Sequence, residues 1–194
     1  MNSRDQILGT IRQQLPQSAP LPDFSGDWIE YDDPAAQFAE VLTSVGGVCH
    51  VVSSVAEIST ALGLPLTEDK RVVSGVPGVA EPNFNFHLVS DPHEMADVEL
   101  VILPGKLAVA ENAAIWVQTD STAQRAACFL TQHLALVVPL SDIVSNLHEA
   151  YDRIQIETAP FGCFISGPSK TADIEQSLVK GAHGARTLQV FLID

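Results

Sequence analysis

A chain of 194 residues is long enough for one domain with a sizeable core and short for two. Hydrophobic residues make up 46% of it, which excludes a disordered chain. Ten Lys and Arg stand against 24 Asp and Glu; the net charge of -14, with no basic stripe, excludes nucleic acid and an anionic membrane surface as partners.

The first stretch, MNSRDQILGTIRQQ, is polar and lacks the apolar run of a signal peptide. Ser3 and Gln6 form a capping box, and Ile7, Leu8, Ile11 and Leu15 form an apolar stripe, which predicts a helix. Pro16 to Asp27 reads as an extended Pro-rich linker. The expected organisation is therefore a detached helix and linker over 1–27, followed by one domain over 28–194. Asp33-Pro34 opens a helix whose apolar face is Phe38, Leu42 and Val45, ended by Gly46-Gly47. Val48–Val52 is a short apolar strand. Ser54 and Glu57 cap another helix with Val55, Ile58 and Leu62 inward.

Arg71–Ser74, Phe84–Val89 and Val98–Leu103 follow as strand candidates. Leu107–Ala110 and Ala113–Thr119 read as paired strands around Glu111-Asn112. Leu134–Val138 and Phe161–Ile165 are continuous apolar strands. Ser141 opens a helix running towards Tyr151, Thr171–Lys180 reads as a helix with Gly181 as its cap, and Leu188–Ile193 closes the chain as a strand. Strands that are apolar on both faces, alternating with helices, define an α/β fold with a mostly parallel sheet and helices on both faces.

Two segments carry the functional expectation. In SGPSKTADIEQSLVKGAHG, a strand is expected to turn at Gly167 and lead into a helix near Thr171. Free amides at a helix start, with the helix dipole, make an anion site. Gly167 would admit a ligand close to the backbone, Ser169 and Thr171 would add hydroxyls, and Lys170 a positive charge. Against the global field of the chain, such a local site is what an anion requires. The same residues also read as ordinary caps, with Asp173 and Glu175 complementing the dipole, Gly184 making a turn, and His183 as a helix-terminal partner.

The second segment is AVAENAAIWV, Ala108 to Val117. A lone carboxylate in an apolar run is paired, solvated or protonated, so Glu111 is a candidate nucleophile or base; equally, Glu111 and Asn112 make a solvated turn. The small neighbours, and the lack of Asn-Gly-type chemistry, count against a plain hairpin. Lys106 is placed to counter Glu111, and Arg125 is one of few cations; either also reads as a surface charge. The histidines show no metal spacing, and no metal site is expected. Cys49, Cys128 and Cys163 lie far apart with no CxxC, so the chain by itself holds no iron–sulfur cluster; this pattern fits a reducing, cytoplasmic setting, and no apolar stretch is long enough to insert in a membrane.

The AEN segment, the Arg125-to-His133 region before LALVV, and GPSKTADIE…KGAHG together resemble the LUD-domain family, also called the lactate utilization protein C or YkgG family. The resemblance covers the chain from about Pro104 onward. It implies a fold like that of the NagB/RpiA/CoA transferase-like proteins and a role in oxidising L-lactate to pyruvate. It further implies a non-redox subunit beside partner proteins that carry the iron–sulfur clusters, with no cofactor in this chain. Its matched positions are Glu111, Gly167, Ser169, Lys170, Thr171, Asp173, Glu175, His183 and Gly184, with Glu111 and His183 as catalytic candidates; Asn112 and Arg125 join the ligand-binding set. Asn112-Ala113 stands where the family usually has Thr-Gly, which resembles the Ser-Glu-Asn-Gly of coenzyme A transferases. A stand-alone transferase or sugar-phosphate isomerase using Glu111 is therefore an alternative, as is a ligand-sensing or scaffold module without chemistry.

Overall fold

Five apolar segments pair side by side, all in parallel, to make the central sheet: β1 (Val48–Val52), β2 (Arg71–Ser74), β3 (Val98–Pro104), β6 (His133–Pro139) and β11 (Thr187–Ile193), in the order β1-β11-β6-β3-β2. The computed structural model describes residues 2–14, 20, 22–64, 69–155, 161–172 and 178–194. Side chains alternate between the two faces of a strand. Leu134, Leu136 and Val138 of β6 and Leu188, Val190 and Leu192 of β11 face one side. There they pack with Phe38 and Leu42 of α2 (Pro34–Ser44) and with Ala127 and Cys128 of α4 (Thr122–Leu130). Ala135, Val137 and Phe191 face the other side, against Ile58 of α3 (Val55–Ala61). Helices thus cover both faces of a parallel sheet, the α/β class expected from the apolar strands.

A second sheet lies on the α2 and α4 side. β4 (Leu107–Val109), β5 (Ala114–Thr119), β7 (Ile143–Val144) and β8 (Phe161–Ile165) are ordered β7-β4-β5-β8. Ile115 and Val117 of β5 enter the shared core, while Leu107, Val109 and Trp116 face outward onto Ala150 of α5 (Leu147–Arg153). Gly105 joins the two sheets. Its amide donates to the Val137 carbonyl at 2.8 Å, and a Cβ here would sit 2.6 Å from both Ile115 Cγ2 and Val138 Cγ2. The amino-terminal helix α1 (Ser3–Gln13) buries none of its residues, and no helix among the described residues is long and apolar enough to cross a membrane.

Four local expectations change. Both ends of the helix expected over Thr171–Lys180 are strands: Lys170–Ala172 (β9) pairs antiparallel with Leu178–Lys180 (β10), while residues 173–177 lie outside the described residues. The hairpin is anchored at its base, where the Ser169 amide donates to the Ala185 carbonyl at 2.8 Å and the Gly181 amide to the Ser169 carbonyl at 3.1 Å. These tertiary bonds override a weak helix propensity. Phe84–Val89 is not a strand but holds a 3₁₀ turn at Phe86–Leu88, because the Asn85 side chain caps the His87 amide while Phe86 is drawn into the core. The helix expected from Ser141 begins at Leu147; Ser141 lies in a 3₁₀ turn, and Ile143–Val144 is taken up by pairing with β4. At the amino terminus, Asn2 and not Ser3 supplies the cap, accepting from the Asp5 amide.

Replacing Gly105 by Ala forces two branched side chains apart where the sheets meet. The expected result is a loss of about 1–3 kcal/mol, read as a lower urea midpoint with unchanged slope.

Candidate functional site

The loop after β8 and the bend before β11 enclose a cleft of about 270 Å³. Ser166, Gly167, Ser169, Lys170, His183 and Gly184 all line it. The floor is apolar, with Leu134, Phe164, Ala185 and Leu188, closed at one end by Cys128 and Phe129 of α4. The structure therefore brings together five of the residues singled out from sequence: Gly167, Ser169, Lys170, His183 and Gly184. Lys170 and His183 are exposed and Ser169 is half-buried.

The cleft is not built as a helix terminus. The Ser169 amide is committed to Ala185, and Lys170 and Thr171 lie in register with Lys180 and Val179 of the hairpin. The helix-terminal reading of His183 goes with the helix. Gly167 adopts φ +73, and a Cβ there would meet the Val45 carbonyl oxygen and Cγ2 at 3.0 Å. Its freedom serves close packing on the end of α2. Gly184 fits against Ser169, whose Cβ would lie 3.1 Å from an added Cβ. Lys170 brings a cation to the cleft lining, and its ammonium lies beside Gly46, 3.6 Å from where a Cβ would stand.

Glu111 and Asn112 occupy the turn between β4 and β5, which do form an antiparallel pair despite the small flanking residues. The turn closes through Asn112, whose side-chain oxygen accepts from the Ala114 amide at 3.0 Å, with Ala113 at φ +52. The Glu111 carboxylate accepts from the Leu147 amide at 2.8 Å, at the start of α5, while its own amide donates to the Ser145 carbonyl at 3.1 Å. A carboxylate on the first free amide of a helix is a charge-assisted capping bond. Asn112 reaches the cleft wall by its carbonyl, which accepts from the Ser166 hydroxyl at 2.7 Å. Glu111 is not among the residues lining the cleft.

The remaining candidates separate. Arg125 lies over the Phe161 ring at 5.4 Å, at the start of β8, whereas the cleft opens at its end. Lys106 sits at the open end of the β4–β5 pair, roughly 15 Å of strand from the turn, and no ion pair joins it to Glu111 among the described residues. Asp173 and Glu175 lie outside the described residues. Sequence reading missed Cys128, Phe129 and Ser166 as walls. It also missed Asn146, whose Oδ1 accepts from the Glu149 amide while its Nδ2 holds the Ile29 carbonyl and the Glu149 carboxylate. The Asn146-x-x-Glu149 spacing is a readable helix-start signal.

Burial pushes the Cys128 thiol up to about 12, with neighbouring Cys163 adding to the rise, and burial raises Cys49 to about 11. These thiols are neutral and poorly nucleophilic at ordinary pH. Among the described residues, no group of three or more His, Cys, Asp and Glu is arranged to hold a metal ion.

A parallel five-stranded sheet, an antiparallel partner sheet and a cleft lined by Ser169, Lys170 and His183 are the features to set beside known proteins. Residues 91–193 match the LUD domain family model, more than half of the chain, and the chain belongs to the LUD domain family. It is 25% identical over 174 residues to the lactate utilization protein C of Oceanobacillus iheyensis, covering 79% of this chain and 73% of that protein. It is 30% identical over 106 residues to the lactate utilization protein C of Shouchella clausii, covering 52% of this chain and 45% of that protein. The corresponding protein of Bacillus velezensis is 32% identical over 108 residues, covering 52% and 44%, so these two matches span under half of each relative's length. In fold the chain is similar to the crystal structure of a DUF162 family protein from Deinococcus radiodurans, with a TM-score of 0.62, 20% identity, and coverage of 83% of this chain and 96% of that one.

Two measurements follow from the geometry. Glu111→Gln keeps an oxygen acceptor for the Leu147 amide and is expected to cost under about 1 kcal/mol, whereas Glu111→Ala leaves that amide bare and costs about 1–3 kcal/mol, read by urea denaturation. For Cys128, a folded-state pKa raised above the unfolded value means its contribution is whole below about pH 8.5 and is lost as pH rises towards 12. Urea midpoints measured from pH 7 to pH 10, roughly the window in which an unfolded thiol ionises, should therefore fall less steeply in Cys128→Val than in the unsubstituted protein.

Proposed function

We propose that this chain is a non-redox subunit of an L-lactate oxidation system, binding a small anionic ligand in the Gly167–Gly184 cleft. The observation that carries the reading is membership of the LUD domain family together with the match over 174 residues to a protein named lactate utilization protein C. The cleft supports it chemically. Lys170 gives one cation, Ser169 gives a hydroxyl, and exposed His183 lines the same cleft. That set suits a carboxylate of a few heavy atoms, held locally in a chain whose net charge is -14.

The reading places the iron–sulfur clusters on partner proteins. The donor set of this chain supports that division: three cysteines fall short of the four thiolates such a cluster takes, and Cys49 lies on β1, away from the Cys128 and Cys163 pair. The chain's own contribution is binding and orientation of the anion, and an acidic surface for association. Glu111 has no chemistry in this reading, because its carboxylate already serves the Leu147 amide. That commitment also disfavours the acyl-transfer alternative.

The test is genetic and biochemical together. Deleting the gene in its source organism should abolish growth on L-lactate but not on glucose. The intact gene should restore it, and Lys170→Glu should restore it poorly. Affinity capture of the chain from lactate-grown cells should recover proteins with iron–sulfur absorbance. Normal growth of the deletion strain on L-lactate would overturn the proposal.

A further inference from the structure

The cleft described above lies at the amino ends of β6 and β11, where Leu134 and Leu188 begin those strands. Ligands of open parallel sheets are bound beyond the opposite, carboxyl ends. At that end a second cleft, of about 300 Å³, opens past Gly75 after β2 and past Leu103 and Pro104 at the end of β3. Its polar lining comes from six residues: His87, Lys106, Gln118, Thr119, Asp120 and Gln124.

Thr119 marks this place out. It is 3% exposed, and its hydroxyl oxygen has no hydrogen-bond partner among the described residues. Buried hydroxyls are almost always paired, and leaving one bare is costly. The packing does not account for a Thr here: Ile115 and Val117, on the same face of β5, are both apolar. A valine would fill the same shape without the orphaned oxygen. The neighbouring groups complete a bipolar lining. Lys106 is exposed and forms no ion pair among the described residues. Asp120 provides a carboxylate, and its amide is taken by the Gln124 side-chain oxygen at 2.6 Å. That bond fixes the Gln124 amide group and leaves its NH₂ as a donor.

We propose that this carboxyl-end cleft is a second ligand site, taking a small hydroxylated anion whose charged group meets Lys106 and whose hydroxyl meets Thr119 and Asp120. A cation and an acid in the same cleft select against a bare anion and for one that also carries a donor. The chemistry is shared by hydroxycarboxylates and by hydroxylated phosphate esters. The site stands apart from the Gly167–Gly184 cleft, and the proposal does not depend on the function assigned to that cleft.

Amide NMR titration of the full chain tests it. L-lactate and glycerol 3-phosphate are added separately, with propionate and inorganic phosphate as partners lacking the hydroxyl, each to about 50 mM so that millimolar binding registers. At least one hydroxylated anion should shift the amides of Gly75, Lys106, Thr119 and Asp120, and its hydroxyl-free partner should shift them several-fold less. The arm that responds identifies the class. Lys106→Gln should weaken binding about tenfold or more. Thr119→Val should weaken it several-fold while raising the thermal midpoint of the free protein, a combination that a merely structural threonine would not give. Shifts confined to residues 166–170 and 183–185 would overturn this inference and leave the first cleft standing. So would the absence of shifts with both anions, or affinity unchanged in both variants.

Discussion

The hydrogen bond from the Leu147 amide to the Glu111 carboxylate fixes how the two halves of the second sheet meet. It caps α5 from outside that helix, and neighbouring bonds reinforce it. The Ala110 amide donates to the Val144 carbonyl, the Ser145 hydroxyl accepts from the Tyr31 amide, and the Asn146 side chain holds the Ile29 carbonyl. One turn, Ala110 to Ala113, thereby ties the segment entering the domain to β7, α5 and the loop after β8. A charged acceptor suits this place, since it meets the positive end of a helix and is only half-buried. In the fold, the carboxylate singled out in the sequence clamps the start of α5 through one of its two oxygens.

Two clefts open at opposite ends of the central sheet. At the amino end, Lys170 at the start of β9 and His183 line one cleft. The Ser169 amide is committed to the Ala185 carbonyl and is not free for a ligand. At the carboxyl end, Lys106 and Thr119 face a cleft bordered by the last residues of β3. The two clefts are joined by α4, which runs from Gln124 at one to Phe129 at the other. That helix packs on the shared core through Ala127 and Cys128.

Much of this was legible in the chain itself, and the reason is periodicity. β6 and β11 are apolar on both faces because helices or a second sheet cover both, and such runs announce a buried parallel strand. Asp33-Pro34 likewise announced α2, and the Asp33 side chain does cap the Ala36 amide. The hairpin at Lys170–Lys180 was not legible, because its strands are held by tertiary bonds to Ala185 and not by local preference. The same limit applies to the sites. GPSKT and GAHG could be singled out by composition, and they do meet. That Lys106, Thr119 and His87 share another cleft follows only from how the sheets cross, and no spacing in the sequence encodes it. Nor does a sequence show that a threonine hydroxyl is left without a partner.

The central claim is that Glu111 holds α5 in place, leaving anion recognition to other residues. Hydrogen exchange at the Leu147 amide reads this bond directly. In the unsubstituted protein that amide should be protected, and in Glu111→Ala it should exchange at least about tenfold faster, together with its neighbours in the first turn of α5. Unchanged exchange at Leu147 in Glu111→Ala, alongside complete loss of growth on L-lactate, would contradict the account and return Glu111 to the chemistry.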